Sequence, residues 1–181
     1  MTIKNENQIY ADIVQFLNTA LSKLNITGWQ VLQLKQPIKL TDIEPTIFVT
    51  YTNTDQRGWQ YRSYSTSASG YQKTEHQKEE LLVQISALRR RDLTDTVNTL
   101  NSKDVLKYLR MYLLDINRGL KDLKTLGYSI YQPTEIQSPD FFDDSDNFEF
   151  MPFFNVTFVI EQTLNSPQTV IDDYTLQIRR V

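Results

Sequence analysis

The sequence predicts an α+β fold, a mixed and mostly antiparallel sheet with helices packed on one face. Three observations predict it. Phe154, Val156, Phe158 and Ile160 alternate with Asn155, Thr157, Val159 and Glu161, a period of two in β-branched and aromatic residues that marks a strand. Ile9, Ile13, Phe16, Leu17, Ala20, Leu21 and Leu24 form one apolar stripe at helical spacing over more than three turns. Leu106, Leu109, Leu113, Ile116, Leu120 and Leu123 form a second one, at steps of three and four. A helix with one such stripe must lay it on something, and a sheet face is the natural partner.

Taken in order, the chain opens with a helix at 8–25. Asn5 or Asn7 caps its start, and Asn25-Ile26-Thr27-Gly28 ends it, with Gly28 available for positive φ. Trp29 to Lys35 reads as a short strand closed by Pro37. Pro45 then opens Thr46-Ile47-Phe48-Val49-Thr50-Tyr51-Thr52, which is β-branched or aromatic throughout. Asp55-Gln56-Arg57-Gly58 is a turn signal, and Trp59 to Tyr64 follows it, which predicts a hairpin over 46–64. Ser65 to Gly70 is small and polar and predicts a mobile loop near 65–74.

Residues 72–91 fit two templates. Leu81, Leu82, Ile85 and Leu88 make a helical stripe, whereas Leu81, Val83, Ile85 and Ala87 make a strand face; propensity slightly favours the helix. Asn101-Ser102 is a cap, with Asp104 well placed against the positive helix terminus, and Asp115 to Gly119 divides the following helical region into 105–114 and 118–126. Beyond Gly127 the chain is rich in strands. Asn165-Ser166-Pro167 predicts a turn between the run from Phe154 and a weaker one over Thr169 to Val181. No linker splits the chain, so 1–181 reads as a single domain.

At 181 residues about 70% of the unfolded surface can be buried, enough for one sizeable core. With no cysteine there is no disulfide framework, thiolate metal site or cysteine nucleophile. The net charge of −3, from 19 basic and 22 acidic residues, argues against non-specific DNA binding as the main task. No apolar run reaches the roughly 20 residues that span a bilayer, and MTIKNENQIYADIV lacks the marks of a signal peptide. The chain reads as soluble and intracellular, without a membrane partner.

Catalytic motifs are absent. The five glycines, at 28, 58, 70, 119 and 127, lie too far apart for a phosphate-cradling loop. His76, in Glu75-His76-Gln77-Lys78-Glu79-Glu80, has no serine to which it can be assigned and reads as a solvated side chain. Asp140, Asp143, Asp144, Asp146 and Glu149 are the best metal candidates, but no glycine supplies the sharp turn of an EF-hand loop. Two other readings of that cluster are a charged turn over packed Phe141 and Phe142, and an interaction loop. Arg89-Arg90-Arg91, followed by Asp92 and Asp95, fits a solvated strand end with local charge pairing. The sharper account is contact with an acidic neighbouring subunit or with DNA phosphates. No catalytic, metal or cofactor site is assigned, and the chain is not expected to be an enzyme. A metal-dependent hydrolase built on 140–149 is the alternative from another class.

The order of these elements resembles the neck and tail terminator (tail completion) proteins of tailed bacteriophages. The likeness runs through the helix at 8–25, the strands of 46–64, a strand near 79–88 followed by Leu93-Thr94-Asp95, and the helical pair. It is clearest from Gly127-Tyr128-Ser129-Ile130 through Pro139-Asp140-Phe141-Phe142 into Phe150-Met151-Pro152-Phe153-Phe154-Asn155-Val156-Thr157-Phe158. The resemblance favours a strand over 72–91 and implies a tail-terminator-like domain without cofactor. It further implies a structural virion protein, assembled in the host cytoplasm, whose copies form a ring, commonly a hexamer. Such a ring ends the tail tube and joins it to the head connector, and DNA passes through its lumen without specific binding. The expected partners are other copies, the tail tube protein and the head-completion proteins. Exposed aromatics rimmed by charge suit the centre of such an interface, which makes Asp140, Phe141, Phe142 and Asp143 candidates, with Arg89, Arg90 and Arg91 beside them. Another head-tail joining or tube protein of a phage is the nearest alternative.

Overall fold

The computed structural model describes residues 4–33, 45–55, 61–67, 70–89, 100–138, 140–142 and 148–168. Helix α1 spans Glu6–Lys23 and starts with a capping box: the Asn5 side chain accepts from the Gln8 amide at 2.9 Å, and Gln8 Oε1 accepts from the Asn5 amide at 3.0 Å. It ends where Asn25 (φ 55°) and Gly28 (φ 78°) turn the chain through left-handed conformations. Its inward stripe is the predicted one, Ile9, Ile13, Phe16, Leu17, Ala20 and Leu21, with Tyr10 buried beside it.

The main sheet contains β1 (Gln30–Gln33), β2 (Thr46–Asp55), β3 (Tyr61–Ser67), β4 (Gly70–Leu88), β5 (Tyr128–Ile130) and β8 (Phe153–Gln168). Between β5 and β8 lie β6 (Asp140–Phe142) and β7 (Phe148–Phe150), which among the described strands pair with each other. The sheet order is β1-β2-β4-β8-β5, with β3 also on β4. Among the described strands only β1 and β2 are parallel and the other pairings are antiparallel, so the α+β expectation with a mostly antiparallel mixed sheet holds. Helix α2 spans Ser102–Leu114 and α3 spans Gly119–Thr125. Asn101 caps α2 by accepting from the Asp104 amide at 2.8 Å.

Residues 72–91 resolve as strand through Leu88. Leu81, Val83, Ile85 and Ala87 are buried, while Leu82, Gln84 and Leu88 are half-buried. Helical propensity loses here because β4 has a long partner on each side: β2 covers Glu80–Leu88 and β8 covers Tyr71–Ser86. The inward residues of β4, with Ile47 and Val49 of β2 and Phe154, Val156, Phe158 and Ile160 of β8, join the apolar stripes of all three helices in one core. Because each strand contributes residues of one parity, the helices lie on one face of the sheet.

Three expectations are corrected. The hairpin over 46–64 does not form among the described residues: β2 and β3 each pair with β4, at Glu80–Leu88 and Gly70–His76. Ile47, Val49 and Tyr51 need an apolar partner on their own face; Ala87, Ile85 and Val83 provide one, and the polar 61–67 segment does not. The predicted loop near 65–74 is instead where β3 meets β4, with strand up to Ser67 and again from Gly70. Asn165-Ser166-Pro167 is not a turn but continues β8 opposite Thr74, Lys73 and Gln72. Beyond Ile160, β8 has only β4 beside it among the described strands, an edge setting in which proline is tolerated. The weaker run over Thr169 to Val181 lies outside the described residues.

Two charged networks lock the helical layer. Lys23 Nζ donates to both carboxylate oxygens of Asp122, at 2.9 and 2.7 Å, and the Tyr112 hydroxyl donates to the same carboxylate. Lys4 Nζ donates to Asp12 Oδ2 and to the Leu126 carbonyl, both at 2.6 Å, while the Tyr128 hydroxyl donates to Asp12 at 2.9 Å. Burial, helped by the Asp12 carboxylate, pushes the Tyr128 hydroxyl far above the usual phenol range.

Candidate functional site

The acidic, aromatic stretch is held at its base by backbone. Gln137 and Phe153 exchange hydrogen bonds of 2.8 and 2.9 Å, and the Ala87 amide donates to the Pro152 carbonyl at 3.1 Å. Above this clamp the chain leaves the main sheet. Asp140, Phe141 and Phe142 stand opposite Phe150, Glu149 and Phe148 in a separate two-stranded ribbon. Residues 131–138 run beside β8, with amide donors from Tyr131, Thr134 and Gln137 to Thr157, Asn155 and Phe153. Arg110 of α2 fixes them by donating to the Thr134 carbonyl at 2.8 Å. Asp143, Asp144 and Asp146 lie outside the described residues. A two-stranded ribbon is at best marginally stable alone and calls for an apolar neighbour.

The arginine cluster divides. Arg89 is half-buried and donates to the Leu100 carbonyl at 2.9 Å, so it ties the end of β4 to the approach of α2. Arg90 and Arg91 lie outside the described residues.

His76 is not the solvated side chain that its neighbours in sequence suggest. Its Nε2 lies 3.0 Å from Ser63 Oγ on β3, and its Nδ1 lies 2.7 Å from Glu161 Oε1 on β8. An imidazole protonated at Nδ1 donates to Glu161 and accepts from the Ser63 hydroxyl, the order of groups in a serine–histidine–acid relay. Ser63, however, is exposed on a plain antiparallel ladder opposite Thr74. A nucleophile works in a site that excludes water, and an exposed sheet face does not provide one. What the trio does is staple three strands. On the other face of the same ribbon Lys73, and then Arg62, holds the Glu75 carboxyl below its ordinary range. Neither partner of His76 was legible, since Glu161 lies 85 positions away in sequence.

A second surface also escaped the sequence reading. Tyr108, Met111 and Leu114 stand exposed on the outer side of α2, and Ile116, 76% exposed, stands in the turn after it. The leucine stripe had placed Ile116 inward. It points to water because α2 stops at Leu114, where Asp115 accepts from the Asn117 amide at 2.9 Å and breaks the helical phase. Lys107 and Arg118 are exposed beside this apolar strip.

No curated protein matches the chain. Among family models, that of the E217 gateway protein gp29 matches residues 8–170, from early α1 past the end of β8. The neck and tail-joining character implied by the resemblance is thereby met at the level of the family, without the terminator subtype. The chain belongs to the family of the E217 gateway protein gp29, phage head-tail gateway proteins with a structural role in the neck of the virion.

Proposed function

We propose that copies of this chain close into a ring, of six subunits, that ends the tail tube and joins it to the head connector. The family match over residues 8–170 carries this reading. Supporting it, the chain carries two unlike features, an acidic and aromatic sequence over 140–150 and an exposed apolar strip on α2. Contacts between unlike patches make a ring when the rotation closes. The net charge of −3 suits a lumen through which DNA passes without being gripped. Assembly in the host cytoplasm, with the tail tube and head-completion proteins as partners, belongs to the same proposal.

Light scattering with electron microscopy of the purified chain, alone and with isolated tail tubes, tests it. A homogeneous ring, free or seated on tube ends, is the expected result; a chain that stays monomeric and leaves tubes bare would overturn it. Changing Phe141 and Phe142 together to serine is expected to keep a soluble, folded chain and to abolish ring formation or tube joining. Normal assembly of that variant would remove the 140–142 segment from the interface.

A further inference from the structure

We propose that the exposed strip on α2 and its following turn packs on the helix-free face of the sheet in a second copy of the chain, beside Tyr131, Glu80 and Glu161. The pairing rests on the ring reading above and specifies the contact between neighbouring subunits.

The layers of the fold favour this pairing. The three helices cover the sheet face of Leu81, Val83, Phe158 and Ile160, and a sheet can carry a helical layer on its other face as well. Parity places Lys78 and Glu80 of β4 on that other face, with Glu161 of β8. Near β2 this face is closed, since Thr46, Phe48 and Ser86 are buried. Toward β5 it is open: Tyr131 is 54% exposed, and Lys78 and Glu161 are exposed too. The Tyr131 hydroxyl donates to Glu80 at 2.7 Å, so the side chain reaches across β8 on the open side. The α2 strip is the apolar half of the contact. Tyr108 is 43% exposed, Met111 58% and Ile116 76%, and 108, 111 and 114 follow each other at helical steps of three. The opposite side of α2, with Leu106, Leu109 and Leu113, is committed to the core. Large apolar side chains gathered on one exposed face mark an interaction site. Methionine thioethers make favourable contacts with aromatic rings, and Tyr131 supplies the ring.

Charge selects the same partner. Lys103 and Lys107 are exposed on α2 and Arg118 in the turn after it, whereas Asp104 and Asp115 are half-buried. On the open face Glu80 and Glu161 stand against Lys78, and Glu135 is exposed in the segment beside β8. Complementary potentials of this kind orient partners and suppress the wrong pairing. Strip-to-strip contact would set lysine against lysine. The strip and the open face also point to opposite sides of one subunit, so a chain cannot satisfy itself. What joins them is a head-to-tail contact, the kind that a ring requires.

The cysteine-free sequence makes a clean test. Ser129 is exposed opposite Val159, on the open face next to Tyr131. A chain carrying Met111→Cys and Ser129→Cys is expected to give a ladder of disulfide-linked oligomers on mild oxidation, and neither single variant is expected to do so. Efficient dimers from Met111→Cys alone, or a double variant that assembles without cross-linking, would overturn the pairing. Separately, Lys103→Glu with Lys107→Glu is expected to weaken self-association roughly tenfold at an unchanged Tm, since both side chains are exposed. Mixing it with a chain carrying Glu80→Lys and Glu161→Lys is expected to restore assembly, because each contact in an alternating ring then joins opposite charges. If the α2 variant forms rings like the wild type, or the mixture stays as weak as either variant, the pairing is wrong while the ring reading stands. A wild-type chain that is monomeric at about 1 mM and does not seat on tube ends removes both.

Discussion

Asp122 shows how one carboxylate fastens three helices, since it accepts from Lys23 of α1 and from Tyr112 of α2 while standing on α3. Lys23 first, then Tyr112, holds its carboxyl below the ordinary range. An acid whose folded pKa is depressed stabilises the native chain above its unfolded pKa, and the contribution disappears as pH falls through the folded one. Tm is therefore expected to drop below about pH 4, and Asp122→Asn is expected to make that slope shallower in calorimetric scans. Gly119 constrains the same region sterically. A Cβ built on it would collide with the backbone carbonyl of Tyr112, which has no room to yield. Gly119→Ala is expected to cost about 1–3 kcal/mol, read as a lower urea midpoint. The sequence marks Gly119 as a helix interruption; the close approach of Tyr112 becomes visible only when α2 and α3 are folded back on each other.

At the scale of elements, strands with one buried face were legible and strand partners were not. Phe154, Val156, Phe158 and Ile160 announced β8 because burial on one side forces strict alternation. Phe158 is fully buried, with the Tyr128 ring edge-on at 6.2 Å between centroids. Phe158→Ala is expected to cost about 3–5 kcal/mol and to lower Tm by roughly 10 °C. The helices were legible for the same reason, down to the Asn5 and Asn101 caps. Partnership failed because it depends on residues far away: β2 was read as a hairpin with β3, yet its apolar row matches Ala87, Ile85 and Val83 of β4. Where the sheet outruns its helices, the pattern fades. The ends of β3, β4 and β8 are polar, so 65–67 and 70–74 resembled a loop and Asn165-Ser166-Pro167 a turn. The candidate site was legible in part, since the 140–142 segment declared itself through composition. The α2 strip did not, because Ile116 looked like one more position of a core stripe that ends two residues earlier.

For the whole molecule, the sequence separates its charge, a net of +3 over 101–127 against −5 over 137–150, so the proposed self-association is expected to be sensitive to salt. Exposed charges are screened within about 8 Å at physiological ionic strength and about 3 Å at 1 M. Self-association followed by sedimentation is expected to weaken steadily as salt rises toward that range, with Tm of the isolated subunit nearly constant. An assembly driven by apolar burial alone would strengthen instead.

The pairing of β4 with β8 carries a consequence for the order of events during synthesis. Ser86 stands beside Phe153 and Tyr71 beside Gln168, contacts that span 67 and 97 positions of chain. Contacts of that separation close slowly, because the intervening loop must lose its freedom before any of them forms. Among the described strands, β8 is also the one that links β5 to the sheet. Until the ribosome has released residues up to about 168, β4 presents a long unpaired edge and the helices have half a floor to lie on. The nascent chain thus cannot complete its sheet early, and the native fold waits until nearly all of residues 1–168 have emerged.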